Sequence, residues 1–171
     1  MDRVFIGLGS NVGDRLQYLQ FALSFIERLP ETIIKNISPV YETEPVGKKE
    51  QAYFFNIVAQ LETSLPPMKL LKKFKVIEQQ LGRTPTERWG AREIDIDLLY
   101  VGDQVIQEKN LIVPHPEIHS RKFVLVPLGQ IAGEFKDPVS KLSILDLLLQ
   151  CPDKSEVKKT SYSIQPHAVE P

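Results

Sequence analysis

The sequence predicts an α+β fold: an antiparallel sheet with helices on one face and extra elements toward the C-terminus. Two observations lead there. Four short apolar segments read as strands, and two longer ones carry apolar residues at helical spacing. These segments follow the order strand, helix, strand, strand, helix, strand, which is the split arrangement of the ferredoxin-like fold.

Each element has its own warrant. Val4 to Leu8 reads as a buried first strand. Asp14 can cap a helix in which Leu16, Leu19, Leu23, Ile26 and Leu29 keep helical spacing until Pro30 stops it. Ile33 to Tyr41 reads as the second strand, and Glu44 to Gln51 as a polar loop. Phe54 to Glu62 is the third strand, with Phe55, Ile57, Ala59 and Leu61 on one face and Phe54, Asn56, Val58 and Gln60 on the other. Ser64 and the Pro66-Pro67 pair open a second helix with Leu70, Phe74, Ile77 and Leu81 as its apolar stripe, closed at Gly82. Glu93 to Val101 is the fourth strand.

Beyond it, Gly102-Asp103 marks a turn, with Gln104 to Ile106 expected to pair back as a short hairpin strand. A helix is expected around Ser120 to Ile131, interrupted near Pro127. A short one follows over Ser143 to Leu149, with Ser143 and Asp146 forming a capping box. The residues divide into a single domain over 1–151 and a loose polar tail over 152–171.

Composition narrows the classes. A chain of 171 residues with 42% apolar content can build one core. A net charge of -1 does not suit a general nucleic-acid binder. No apolar run approaches the ~20 residues of a membrane span, and none suits a signal peptide. A single cysteine, Cys151, excludes an internal disulfide and fits a reducing cytoplasm.

The segment from Glu87 to Leu99 is the most informative. Asp95 and Asp97 are two apart in a strand, so both carboxylates point to one side. An ordinary solvated strand edge would also produce this pattern. The same face continues as Leu99 and Val101, however, which argues against simple solvent exposure. Like charges at neighbouring positions repel as water is excluded, and a divalent cation relieves the conflict. Arg83, Arg88 and Arg92 precede or flank the acids. They form either a solvated loop paired with Glu87 and Glu93 or a phosphate clamp, since guanidinium forks match phosphate oxygens. Trp89, beside Gly90, suits a lid or a stacking surface.

Other motifs carry less. Gly7-Leu-Gly-Ser-Asn-Val-Gly13 departs from both the dinucleotide and the P-loop patterns and reads as a tight strand-to-helix turn. His115 and His119 are four apart, but Pro114 and Pro116 and the want of a third ligand argue against zinc. His115 is better placed as a hydrogen-bond donor to phosphate or nucleoside.

Arg88-Trp-Gly-x-Arg92-x-Ile-Asp95-x-Asp97-Leu-Leu closely resembles the signature of the 6-hydroxymethyl-7,8-dihydropterin pyrophosphokinases. Ile6 to Asn11, Tyr41 to Gly47, Phe55-Asn56 with Leu61 to Thr63, Val113 to Pro116 and Arg121-x-Phe123 resemble further segments of that family in the same order, from about residue 3 to 135. The resemblance implies a transfer of pyrophosphate from ATP to the pterin hydroxymethyl group, with release of AMP, in folate biosynthesis.

On that resemblance, Asp95 and Asp97 would bind two Mg²⁺ ions, and Arg83 and Arg92 would neutralise the transferring group. Arg88 and Trp89 would sit on the lid. Glu78, Leu98, His115 and Arg121 would contact the nucleotide. The pterin would stack between Phe54 and Phe123, with Asn56, Asp95 and backbone around Thr43 and Val46 completing its pocket. For either phenylalanine taken alone, ordinary packing explains the residue equally well. Thr84-Pro85-Thr86 stands where many members carry a further basic residue, which shifts lid charge onto Arg88. The implied partners are small molecules, with no nucleic acid or membrane, and the implied protein is a cytoplasmic monomer. Another metal-dependent nucleotide transferase, or a non-catalytic nucleotide-binding module, are the competing readings.

Overall fold

The computed structural model describes residues 1–47, 50–82 and 93–165. Its elements are β1 (Asp2–Ser10), α1 (Arg15–Glu27), β2 (Thr32–Ile37), β3 (Tyr41–Thr43), β4 (Phe54–Thr63), α2 (Pro67–Gln80), β5 (Asp95–Val101), β6 (Ile106–Glu108), β7 (Leu111–Val113), α3 (Lys122–Ala132), α4 (Ile144–Gln150) and β8 (Val157–Lys159), with a 3₁₀ turn at Ile118–Ser120 before α3. The sheet runs β5-β1-β4, with β2 and β3 paired in succession along the outer side of β4 and β8 beyond β3. Every pair in it is antiparallel. This is the expected ferredoxin-like order.

The second strand is expected as one run but is split. Ser38 breaks the run by turning its hydroxyl to accept from Val58 N at 3.0 Å. Pro39 follows and has no N–H to offer the ladder. Pairing resumes at Tyr41.

Strand parity sorts the core. Val4, Ile6 and Leu8 of β1, Phe55, Ile57, Ala59 and Leu61 of β4, and Ile96 and Leu98 of β5 pack with α1 and α2 on one face. Asp14 caps α1 by accepting from Gln17 N at 3.1 Å, as expected. The opposite face holds Phe5, Val58, Leu99 and Tyr100, which pack against Val124, Leu125 and Leu128 of α3 and Ile144 and Leu147 of α4. The extra C-terminal elements therefore cover part of the second sheet face and leave the rest open.

β5 carries an irregularity that alternation alone misses. Val101 faces Val4 and Tyr100 faces Phe5, but Ile6 already faces Leu98. Leu99 is thus an extra residue, and this bulge puts both Leu99 and Tyr100 on the α3–α4 side. Val101, expected to share the face of the acids, lies instead in the α1–α2 core. Asp95, Asp97 and Leu99 do share one face, because they precede the shift.

Three further expectations are corrected. The segment after Gly102 does not pair back on β5; Ile106–Glu108 pairs with Leu111–Val113 as a separate hairpin. A turn closed by Gln104 N on Val101 O directs the chain away from the sheet. Pro127 does not interrupt α3, which runs through it with the ring buried; the helix forgoes one backbone bond there. The polar stretch after Pro152, expected as a loose tail, supplies β8. Its backbone groups pair with β3, and Ile164 inserts into the α1–α2 core at 4% exposure. A few alternating contacts suffice for this docking, so its low apolar content is no obstacle.

Candidate functional site

The open part of the second sheet face forms a cavity. Gly7, Gly9, Thr43, Phe54, Asn56, Asp95, Asp97, Arg121 and Phe123 are among the residues lining it, with Glu44 and Val46 at its edge loop. The register explains why they meet. Gly9 of β1 lies between Asp95 of β5 and Asn56 of β4, and Gly7 lies between Asp97 and Val58. Two glycines thus leave a floor without side chains between a carboxylate wall and an amide wall. A Cβ at Gly9 would stand 2.4 Å from Asn56 Oδ1 and 3.4 Å from the Phe54 ring, so no larger residue fits without displacing them. The Gly7–Gly13 segment is accordingly not one tight turn. β1 continues through Ser10, and only Gly13, with φ +68°, adopts the left-handed turn conformation.

Asn56 is buried, and its Nδ2 donates to Thr43 Oγ1 at 2.7 Å. That bond orients the carboxamide so that its oxygen is offered over Gly9. A fixed amide of this kind can match the donor and acceptor edge of a flat heterocycle. Phe54 and Phe123 line the same cavity from β4 and α3. Arg121 lies within 5.6 Å of the Phe123 ring centroid and reaches Asp97 Oδ2 at 3.5 Å, and its Nε donates to Glu117 at 3.0 Å.

Beyond the acids lies a second cleft, between β5 and the β6–β7 hairpin. Lys75, Ile96, Asp97, Leu98, Lys109, Asn110 and His115 are among its lining residues. Asp97 borders both spaces. The backbone N–H of His115 donates to the carbonyl of the bulged Leu99 at 3.0 Å, which ties the histidine to the strand of the acids. Its Nδ1 accepts from Glu117 N at 3.1 Å, so the ring proton belongs on Nε2, where it can be donated. Burial, and secondarily Arg121, lowers the His115 pKa to about 4, so the ring is neutral at physiological pH.

Asp97 sits at the opposite extreme. Burial first, then the charge of Asp95, push its carboxyl well above the usual carboxylate range, while Arg121 pulls it down. Glu78 adds to the rise. That residue is buried at 2% exposure, and its Oε2 accepts from the backbone N–H of Ile96 at 2.8 Å, between the two acids. Lys75 Nζ lies 3.3 Å from its other oxygen. Glu78, expected at the nucleotide, is thus turned toward β5 and satisfies a backbone donor of an edge strand.

The structure brings together Thr43, Val46, Phe54, Asn56, Asp95, Asp97, Arg121 and Phe123 around one cavity, and Leu98 and His115 around its neighbour. Arg121, expected at the nucleotide, faces the first cavity. Arg83, Arg88, Trp89 and Arg92 lie outside the described residues. The sequence reading took Gly7 and Gly9 for part of a turn and gave Lys75 and Lys109 no role. The glycines were open to it, since they alternate along β1 just as the acids do along β5.

Residues 5–133 match the family model for 7,8-dihydro-6-hydroxymethylpterin-pyrophosphokinase. The chain belongs to that family. A 2-amino-4-hydroxy-6-hydroxymethyldihydropteridine pyrophosphokinase of Haemophilus influenzae is 38% identical over 158 residues, covering 92% of this chain and 98% of its own length. The enzyme of that name from Aquifex aeolicus is 45% identical over 140 residues, covering 81% and 86%. Among solved structures, the Plasmodium falciparum HPPK-DHPS with pterin and p-hydroxybenzoate superposes with a TM-score of 0.69 at 20% identity, over 87% of this chain. The chain spans 41% of that longer protein, and the likeness concerns the fold. The matched family stretch ends just beyond α3, before α4 and β8.

Two outcomes follow from this geometry. Gly9→Ala should raise the KM for the ring-shaped substrate by about tenfold or more, through displacement of Asn56 and Phe54, while the KM for nucleotide changes little. Steady-state kinetics with each substrate varied in turn would check this, and an unchanged pair of KM values would remove the floor from the account. The second concerns pH. An acid whose pKa is raised on folding favours the folded state while protonated, and that advantage is lost as pH rises from the ordinary carboxylate range through the raised value. Asp97→Asn should therefore stabilise the ligand-free protein at pH 8 by about 1 kcal/mol or more, and by much less at pH 4. Denaturant melts at both pH values measure it; equal stability changes at both would show that Asp97 is not under strain.

Proposed function

We infer that this family member transfers a pyrophosphoryl group from ATP to the hydroxymethyl group of 6-hydroxymethyl-7,8-dihydropterin, releasing AMP, in folate biosynthesis. The observation that carries the site assignment is the place of Asp97, which borders both the glycine-floored cavity and the cleft beside the hairpin. A reaction joining two substrates needs its charge-handling groups where their sites meet. The pterin takes the first space and ATP the second.

In the first, Phe54 and Phe123 flank the ring, Asn56 reads its amide edge, and backbone around Thr43 and Val46 completes the contact. In the second, Leu98 lies against adenine, and His115 donates from Nε2 to phosphate or ribose. Arg121, poised between Asp97 and Phe123, attracts the transferring phosphoryl oxygens. Glu78 acts from beneath, by fixing the strand of the acids. The roles given to Arg83 and Arg92 at the transferring group, and to Arg88 and Trp89 on a lid, rest on the resemblance of their motif.

Asp95 and Asp97 would hold two Mg²⁺ ions. The residues fit such ions: two carboxylates share one sheet face, and one of them is driven toward protonation by burial and then by its neighbour. Among the described residues no cluster of three or more His, Cys, Asp or Glu side chains offers a closed site. A two-carboxylate site leaves coordination positions for phosphate oxygens and water, as Mg²⁺ prefers. When bound, the ions supply charge neutralisation on the triphosphate and alignment for in-line transfer. The glycine floor and the phenylalanines orient the pterin hydroxyl toward the acids.

No helix among the described residues is long and apolar enough to cross a membrane. We place the protein in the cytoplasm as a monomer, with residues 1–151 carrying the pyrophosphokinase site and the segment through β8 and Ile164 completing its sheet and core.

Incubation with ATP, Mg²⁺ and 6-hydroxymethyl-7,8-dihydropterin should yield AMP and the pterin diphosphate. Asp95→Ala and Asp97→Ala should each lower kcat/KM by about 100-fold or more without loss of the folded state. ADP as product, or retained turnover in both variants, would contradict the assignment.

A further inference from the structure

We propose that residues 153–160 act as a strap that sets the spacing of the two walls of the pterin cavity, with Asp153 as a positioning residue for pterin binding. The proposal rests on the assignment of that cavity to the pterin.

One wall is the start of α3, which presents Arg121 and Phe123. The other is the end of β3 and the loop after it, which present Thr43, Glu44 and Val46. No side chain of α3 itself caps that helix: Arg121 stands at its N-cap position without a side-chain cap bond. The cap comes from a distant part of the chain. Asp153 Oδ2 accepts from Lys122 N at 3.2 Å, and Lys122 Nζ donates to Ser155 O at 3.1 Å. Asp153 is itself held by Ser155, whose backbone N–H donates to Oδ1 at 2.8 Å and whose hydroxyl bonds the same oxygen.

One residue after Ser155 the same segment grips the opposite wall. Glu156 N donates to Glu44 Oε1 at 2.6 Å, and Glu44 N donates to Glu156 O at 3.2 Å. Val157 then pairs with Thr43, the partner of Asn56. Farther along, the hydroxyl of Thr160 donates to Val40 O at 2.7 Å. A stretch of eight residues thus bonds to the helix that carries one phenylalanine and to the strand that orients the reading amide.

Burial works to raise the Asp153 carboxyl, but its bonds from Ser155 and Lys122 hold it below the usual range. The carboxylate is therefore ionised at the helix start, where negative charge is favourable. Removing it frees the first turn of α3 to shift, and a shift of Phe123 relative to Phe54 changes the gap into which a flat ring must fit. The nucleotide cleft is lined by α2, β5 and the β6–β7 hairpin, none of which the strap touches through these bonds.

The test compares wild type, Asp153→Ala, Asp153→Asn and Asn56→Ala by fluorescence titration with the pterin, by KM for both substrates, and by thermal melting. Asp153→Ala should weaken pterin binding by about tenfold, with a much smaller rise in the KM for ATP, whose phosphoryl oxygens Arg121 meets from the same helix start. Asp153→Asn, which keeps one acceptor, should fall between it and wild type. Equal loss of pterin and ATP affinity, in step with the melting temperature, would overturn the strap and leave a merely structural residue. Unchanged pterin affinity in Asp153→Ala, beside a clear loss in Asn56→Ala, would overturn the strap alone. Unchanged affinity in Asn56→Ala would overturn the cavity assignment and the strap with it.

Discussion

The site depends on the alternation of β1, in which one face carries glycine at both 7 and 9, just where the neighbouring strands must meet a ligand. Ile6 and Leu8 face α1 and α2 and hold the strand in the core. Gly7 and Gly9 face the other way, and with no side chain they leave room above the sheet. A strand so poor in side chains on one face contributes little packing there. The loss is offset by its place at the centre of the sheet, hydrogen-bonded on both sides from Val4 to Gly9. The same backbone therefore builds the fold and aligns the acids of β5 with the amide and ring of β4.

Around that floor, buried polar groups brace the backbone or orient a functional neighbour. Glu78 takes the N–H of Ile96 and so braces the segment between the acids. Asn56 is oriented by Thr43, and His115 is tied through its backbone to the bulge at Leu99. Such bonds add modestly to stability, but each would cost more if one partner were lost. The arrangement is stiff where geometry matters and strained at Asp97, where burial and Asp95 both disfavour the ionised acid.

Much of this was legible in the residues. Period two in Asp95-Ile-Asp97 and in Phe54-Phe-Asn56 put the acids, one ring and the amide on a common face, because alternation survives wherever a strand is regular. It failed at Val101, since a bulge shifts the phase by one residue and has no mark in an all-apolar run. The β6–β7 hairpin was misplaced by a few residues because a short strand can pair with either neighbour. β8 was hidden for a different reason. Its stability comes from backbone pairing with β3 and from single contacts such as Ile164, and neither leaves a hydrophobic pattern. Glu78 was drawn toward the nucleotide by resemblance, whereas its burial could be known only from the packing of α2 on β5. Gly7 and Gly9 were read as a turn because glycines in a strand look like punctuation until the opposing residues are known.

The most direct measurement is a crystal structure of the protein with a non-hydrolysable ATP analogue, Mg²⁺ and 6-hydroxymethyl-7,8-dihydropterin. The account predicts the pterin ring over Gly7 and Gly9 between Phe54 and Phe123, the triphosphate entering from the side of His115, and metal density at Asp95 and Asp97. Metal bound away from the two aspartates, or a pterin ring outside the glycine-floored cavity, would contradict it.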